Sequence, residues 1–248
     1  MIQPADFLTI ALLVALEGLL SADNAMVLAV LVLGLPKPEQ RNALRYGILG
    51  AFGFRALATL LAVHLIQLAW VKLLGAGYLL YLVYRHFGAG ESAADRRTPK
   101  PALPWWGLTA FWATVIKVEL TDIVFAIDSI LVAVAMSPKL WVVMSGGLLG
   151  ILTMRLVIGQ LLSLVERYPP LVDGAFVIIG WVGIKLVFEY LYSSAYVSFE
   201  IPKWLSLGFI VVIFAVAFVY SRTQERRRIR SAAEQEAAEL WMEEGGER

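Results

Sequence analysis

Polar positions in this chain gather in short clusters, separated by apolar runs at about residues 7–35, 46–66, 69–87, 105–136, 140–165, 172–192 and 204–221. Each run is near or above the roughly 20 residues that a helix needs to cross about 30 Å of hydrocarbon. The pattern predicts an all-α polytopic membrane protein with seven transmembrane helices. Breaks fall at Pro36-Lys37-Pro38, the polar stretch 88–104, Ser137-Pro138, Pro169-Pro170 and Pro202, as expected where proline withholds a helix hydrogen bond. Only His64, Gln67, Trp70 and Lys72 separate the second run from the third.

Charges inside the runs repeat. The first run holds just Glu17 and Asp23, in Glu17-Gly-Leu-Leu-Ser21-Ala-Asp23-Asn24, and the fourth carries Asp122-Ile-Val-Phe-Ala-Ile-Asp128-Ser129. In both, an acid is followed six residues later by an acid and then by a small polar residue. An ionised carboxylate in hydrocarbon costs several kcal/mol unless it is partnered, so each segment reads as a site. The offset of 105 that maps Asp23 onto Asp128 also maps Glu17 onto Asp122. Gly47-Ile-Leu-Gly50 followed by Arg55 matches Gly147-Leu-Leu-Gly150 followed by Arg155 at an offset of 100, and Gly75 and Gly180 are candidate third-helix equivalents. Three is odd, so consecutive three-helix units enter the membrane from opposite sides. The expectation is two inverted repeats, residues 1–87 and 105–192, joined by a cytoplasmic linker at 88–104. A seventh helix with its preceding loop follows at 193–221, then a charged cytoplasmic tail at 222–248. Inverted repeats commonly place substrate at the midplane between them.

Composition agrees: 59% of residues are hydrophobic, 17% are charged and mean hydropathy is +0.72, more apolar than a soluble domain with a polar surface needs. Absence of cysteine excludes disulfides and thiolate metal sites. Residues 1–6 carry no base and the first run is long, so it reads as a retained helix and not a cleavable signal. Distributed by alternate sides, Lys37, Arg41, Arg45, Arg85, Arg96, Arg97, Lys100, Arg167 and the tail arginines face one compartment, against Lys72, Lys139 and Lys203 on the other. The positive-inside rule then places the N-terminus outside and the C-terminus in the cytoplasm. The tail is basic first and acidic later, a solvated helix whose start meets anionic lipid.

The candidate metal ligands are Glu17, Asp23, Asn24, Glu119, Asp122 and Asp128, supported by Ser21, Ser129, Arg55, Arg155 and Lys117. Arg55 and Arg155 read as neutralising or orienting the acids, and Lys117 as a residue that snorkels. On a straight helix Glu17, Ser21 and Asn24 share a stripe while Asp23 lies about 120° away and about 9 Å along the axis. The first and fourth runs would make helices of about 43 and 48 Å, so breaks are expected at Leu19–Asp23 and Ile123–Asp128. Oxygen ligands without thiolate suit Mn²⁺, Mg²⁺ or Ca²⁺, and Met26, one turn past Asp23, is a thioether that favours Mn²⁺. His64 and His86 read as interface residues. Acids that bind metal when ionised exchange it for protons, which predicts metal-for-proton exchange. No organic cofactor and no nucleic-acid partner is expected, and the chain reads as a transporter, not an enzyme. Alternatives are an amino-acid exporter, an intramembrane aspartyl protease, for which the Gly-x-Gly-Asp element is missing, and a membrane partner that organises a complex.

At these residues the chain resembles the TerC family of integral membrane proteins, grouped with LysE-type exporters. The likeness rests on Glu17 to Asn24, on Lys117-Val-Glu-Leu-Thr-Asp-Ile-Val-Phe-Ala-Ile-Asp-Ser-Ile130, and on the Gly50 to Arg55 and Gly150 to Arg155 segments, over residues 7–192. The resemblance implies seven helices and, for bacterial members, manganese efflux that relieves metal excess and supplies Mn²⁺ to exported metalloenzymes. It carries over Glu17, Asp23, Glu119, Asp122 and Asp128. Where many relatives have proline after Asp-Ser-Ile, this chain has Leu131.

Overall fold

The computed structural model describes residues 3–20, 22–61, 69–88, 90, 92–97, 107–199, 201–202 and 204–224. Among them there are helices and no strand: α1 Pro4–Leu20, α2 Ala22–Val32, α3 Lys37–Leu60, α4 Ala69–Phe87, the short α5 Ala93–Arg97, α6 Ala110–Met136, α7 Leu140–Arg167, α8 Leu171–Ser193 and α9 Trp204–Gln224. By length and apolarity, α7, α8 and α9 are clear membrane-crossing helices among the described residues. The 27-residue α6 is about 40 Å long, but it carries Lys117, Glu119, Asp122 and Asp128 along its length.

The chain around Ser21, between α1 and α2, lies outside the described residues, and so does the core of the break expected at Leu19–Asp23. In the fourth run the expectation fails, because α6 is one helix from Ala110 to Met136, straight through Ile123–Asp128. Leu131 keeps the backbone N–H that proline would remove. The hydroxyls of Thr121 and Ser129 bond back to the carbonyls of Lys117 and Ala126, at 2.7 and 3.1 Å, and leave the helix intact. The second helix also starts earlier than its apolar run. Pro38 sits in the first turn of α3, where its missing N–H costs nothing. Gln40 donates to the carbonyl of Leu35 at 2.8 Å, tying the turn to the end of α2.

α2 is the centre of the bundle. Every residue from Asn24 to Val30 is buried, as expected of a helix that is apolar all round. One side of it, with Met26, Val27 and Val30, packs into a core with Ala76, Leu79, Phe125, Ile178 and Ile179 from α4, α6 and α8. Its other side, with Ala25, Leu28, Ala29 and Val32, packs with Ala43, Val115, Val118, Met154 and Ile158 from α3, α6 and α7. Around this axis α1 packs on α7, α3 on α6, α4 on α8, and α3 on α7. α9 is peripheral. It meets α8 through Trp181, which donates to Ser206 Oγ at 3.0 Å and stacks on Phe209 at 4.6 Å. The outward faces carry large apolar side chains such as Leu8, Leu49, Leu156 and Val212, a surface suited to lipid and costly in water.

Ion pairs fix the ends. Lys139, at the start of α7, donates to both oxygens of Asp6 at 2.7 and 2.8 Å, so α1 and α7 begin at one end of the bundle. Lys37 and Glu166 approach to 3.6 Å at the other end. Along the α4–α8 pair, Lys72 meets Glu189 at 3.0 Å and His86 meets Asp173 at 2.9 Å. Lys185 reaches Glu189 on its own helix at 2.9 Å. Asp173 also takes a hydrogen bond from Arg97 of α5 at 2.6 Å, while His86 stacks on Phe176 with ring centres 3.7 Å apart. His86 is thus an interface residue, whereas His64 and the tail after Gln224 lie outside the described residues.

Candidate functional site

The paired glycines decide where the acids lie. On α3, a Cβ at Gly50 would overlap the Glu119 carboxylate and one at Gly47 would stand 3.3 Å from Glu119 Oε1. On α7, a Cβ at Gly150 would overlap Glu17 Cγ and one at Gly146 would lie 2.8 Å from Leu13 Cβ. Each glycine face therefore admits an acid-bearing helix to backbone distance: α6 against α3, and α1 against α7. This is the small-residue packing by which membrane helices approach closely without a hydrophobic driving force.

Glu17 is buried and meets the Nη2 of Arg55, also buried, at 2.5 Å. A desolvated pair of this kind holds a charge inside the bundle that neither partner would sustain alone. Arg55 Nε has no hydrogen-bond partner. Asp122, 6% exposed, stands within electrostatic reach of both Arg55 and Glu17. Glu119 interacts in turn with Asp122, and its Oε1 is buried without a hydrogen-bond partner. Thr121 is fully buried and shares its hydroxyl with Tyr78 at 3.3 Å. Sequence gave no cue for Tyr78, because a tyrosine in an apolar run reads as packing. Nor did it single out Asp173 and Glu189, although the Lys185-to-Glu189 spacing is the signature of a same-helix pair.

Two crevices approach these residues. One, of about 550 Å³, is lined by Leu13, Glu17, Arg55, Ser129, Gly147 and Ile151, among others, toward the end where α7 begins. The second, of about 400 Å³, is lined by Gly47, Val118, Asp122, Ile151, Met154 and Ile158, among others, toward the end where α7 finishes. Ile151 belongs to both walls.

Of the expected ligands, Glu17, Asn24, Glu119 and Asp122 are placed within this neighbourhood or buried on its helices. The side chains of Asp23, Asp128 and Arg155, and all of Ser21, lie outside the described residues. Among the described residues, no three His, Asp or Glu side chains converge closely enough to hold one ion. Lys117 is half-buried, and its carbonyl accepts from Tyr78 at 3.2 Å and from Thr121. Met26 lies in the apolar core beside Val27 and Val30.

The family model for the integral membrane protein TerC family matches residues 2–229. The chain belongs to the TerC family. Within it, the membrane protein YceF of Bacillus subtilis strain 168 is 43% identical over 238 residues, covering 94% of this chain and 90% of that one. The membrane protein YkoY of the same organism is 39% identical over 201 residues, covering 74% and 60%. Alx of Escherichia coli K12, named as a candidate membrane-bound redox modulator, is 28% identical over 230 residues, covering 82% and 69%. No solved structure matches this TerC chain.

Proposed function

We propose that this TerC protein is a transporter that exports divalent metal cations, Mn²⁺ foremost, from the bacterial cytoplasm across the inner membrane, in exchange for protons. The observation that carries this reading is the placement of Glu17 and Asp122, both buried, in the walls of two crevices, one beside the first half of α7 and the other beside its second half. Carboxylates on facing helices suit a cation that is taken up on one side and released on the other. The ligand set is Glu17, Asp23, Asn24, Glu119, Asp122 and Asp128, with Ser21 and Ser129 adding oxygens and Arg55, Arg155 and Lys117 balancing charge. Hard oxygen donors without thiolate favour Mn²⁺, Mg²⁺ or Ca²⁺.

Seven spans in two inverted repeats, with the N-terminus outside, are part of the same reading. Exchanging the halves turns the α1–α7 contact into α6–α3, and returns α3–α7 and α4–α8 to themselves; all four contacts occur. The glycine faces exchange only in part: Gly150 lies against Glu17, whereas Gly50 lies against Glu119 and not against Asp122, the equivalent of Glu17. Amino-acid export would need a cation facing an α-carboxylate; Arg55 is bonded to Glu17, and the side chain of Arg155 lies outside the described residues. Thiol redox chemistry is outside this chain's reach because it has no cysteine.

Proteoliposomes containing the intact protein are expected to move Mn²⁺ and to acidify or alkalinise the lumen in step with it. Asp23→Asn and Asp128→Asn should each lower that flux by about tenfold or more. Absence of flux from the intact protein overturns the export reading. Flux unchanged by both substitutions overturns the ligand set, and flux indifferent to a pH gradient overturns proton exchange.

A further inference from the structure

The two crevices carry different acids in their walls. Glu17 and Arg55 line the first, Asp122 lines the second, and Ile151 forms part of both walls. The guanidinium of Arg55 is the base that both acids feel. It is already bonded to Glu17 at 2.5 Å and lies within electrostatic reach of Asp122. Arg55 is 7% exposed, and among the described residues one of its donors, Nε, has no hydrogen-bond partner. A guanidinium can present five N–H donors, so this one has donor capacity left for a second carboxylate. Two acids on two different helices, α1 and α6, thus compete for one fixed cation on α3.

We propose that Arg55 is a tethered counter-cation that occupies the seat of the transported ion on Glu17 and closes the route between the crevices. A divalent cation that binds Glu17 displaces the guanidinium, which shifts toward Asp122. When the ion leaves, Arg55 returns to Glu17 and the site is again electrically balanced without cargo. The protein is thereby spared an uncompensated buried carboxylate in its empty state, a condition that costs more than any single contact in the bundle returns. Arg55 is a gating residue here, not a ligand. This rests on the export reading for the identity of the cargo.

The test uses the full-length purified protein, MnCl₂ as the probe, and Arg55→Gln and Arg55→Lys beside the parent. Mn²⁺ affinity is read by electron paramagnetic resonance of free Mn²⁺, and flux by proteoliposome assay. Removal of a competing buried cation should tighten Mn²⁺ binding by about tenfold in Arg55→Gln, with Arg55→Lys nearer the parent. In the parent itself, saturating Mn²⁺ should raise modification of Arg55 by phenylglyoxal several-fold, scored by peptide mass mapping. That measurement decides the matter even if Arg55→Gln does not fold. The gate is overturned if the parent transports Mn²⁺ while Arg55→Gln binds it no more tightly, or if Mn²⁺ leaves Arg55 labelling unchanged or lower. A parent that neither binds nor transports Mn²⁺ overturns the export reading instead, and the cargo assigned to the gate with it.

Discussion

Glu17 on α1 and Glu119 on α6 are both pressed onto a glycine face of a neighbouring helix, yet Glu17 meets Arg55 while Glu119 Oε1 is buried with no hydrogen-bond partner. The same packing device serves two electrostatic situations. In the first half, the acid and its base neutralise one another and tie α1 to α3. In the second half, Glu119 and Asp122 lie one turn apart on α6, two acids on one face, and among the described residues no base is bonded to either. A half that is satisfied and a half that is not make an asymmetric pair from a symmetric pattern. An unfilled acceptor in a low-dielectric interior is where an added cation gains most.

The largest expected effect comes from breaking the satisfied half. Glu17→Gln leaves Arg55 as an uncompensated buried charge and should cost about 3–5 kcal/mol of stability, measured by unfolding in detergent. Glu119→Gln should cost less than about 1 kcal/mol, since it removes no hydrogen bond from Oε1. Equal losses would remove the contrast between the halves.

The glycines sharpen the same comparison at smaller scale. At Gly150 an added methyl meets Glu17 Cβ and Cγ, close to a backbone that cannot retreat, whereas at Gly50 it meets the far end of the Glu119 side chain. Gly150→Ala should lose about 1–3 kcal/mol by overpacking. Gly50→Ala should be near neutral, because Glu119 can swing aside and alanine gains about 1 kcal/mol in helix propensity. Thermal unfolding of the two variants side by side checks this, and a Gly50→Ala loss as large as that of Gly150→Ala would contradict it.

The smallest effect lies where the halves touch at the bundle's end. The Lys139 ammonium, bonded to Asp6, holds that carboxyl below the ordinary aspartate range, with help from the Gln3 backbone N–H. A depressed carboxyl stabilises the fold above its unfolded pKa and loses that contribution as pH falls through its folded pKa. Parent protein should therefore exceed Lys139→Met in melting temperature by a small constant margin near neutrality. The margin should vanish in acid, below the usual aspartate value. A margin that persists there would mean that Lys139 acts through packing.

Much of this was legible in the residues. The helical class follows from the runs, and the two acid motifs can be aligned without coordinates, but not that Gly150 would lie against Glu17 and Gly50 against Glu119. The partner of Arg55 could not be read, because any of several acids on α1 or α6 is a plausible distance away until the crossing of α3 is known. The break expected in the fourth run was inferred from length and acid spacing, and Leu131 defeats it by supplying the hydrogen bond that proline would withhold. Pairing of Lys72 with Glu189 and of His86 with Asp173 depends on the register of α4 against α8, a quantity that neither apolar run encodes alone.

That register has a mechanical corollary. Lys72 and His86 sit near opposite ends of α4, and their partners Glu189 and Asp173 near opposite ends of α8. Sliding one helix along the other by a single turn, about 5.4 Å, would pull both pairs apart together, while a shared tilt of the two would disturb neither. The α4–α8 pair therefore behaves as a strut clamped at both ends, stiff to shear.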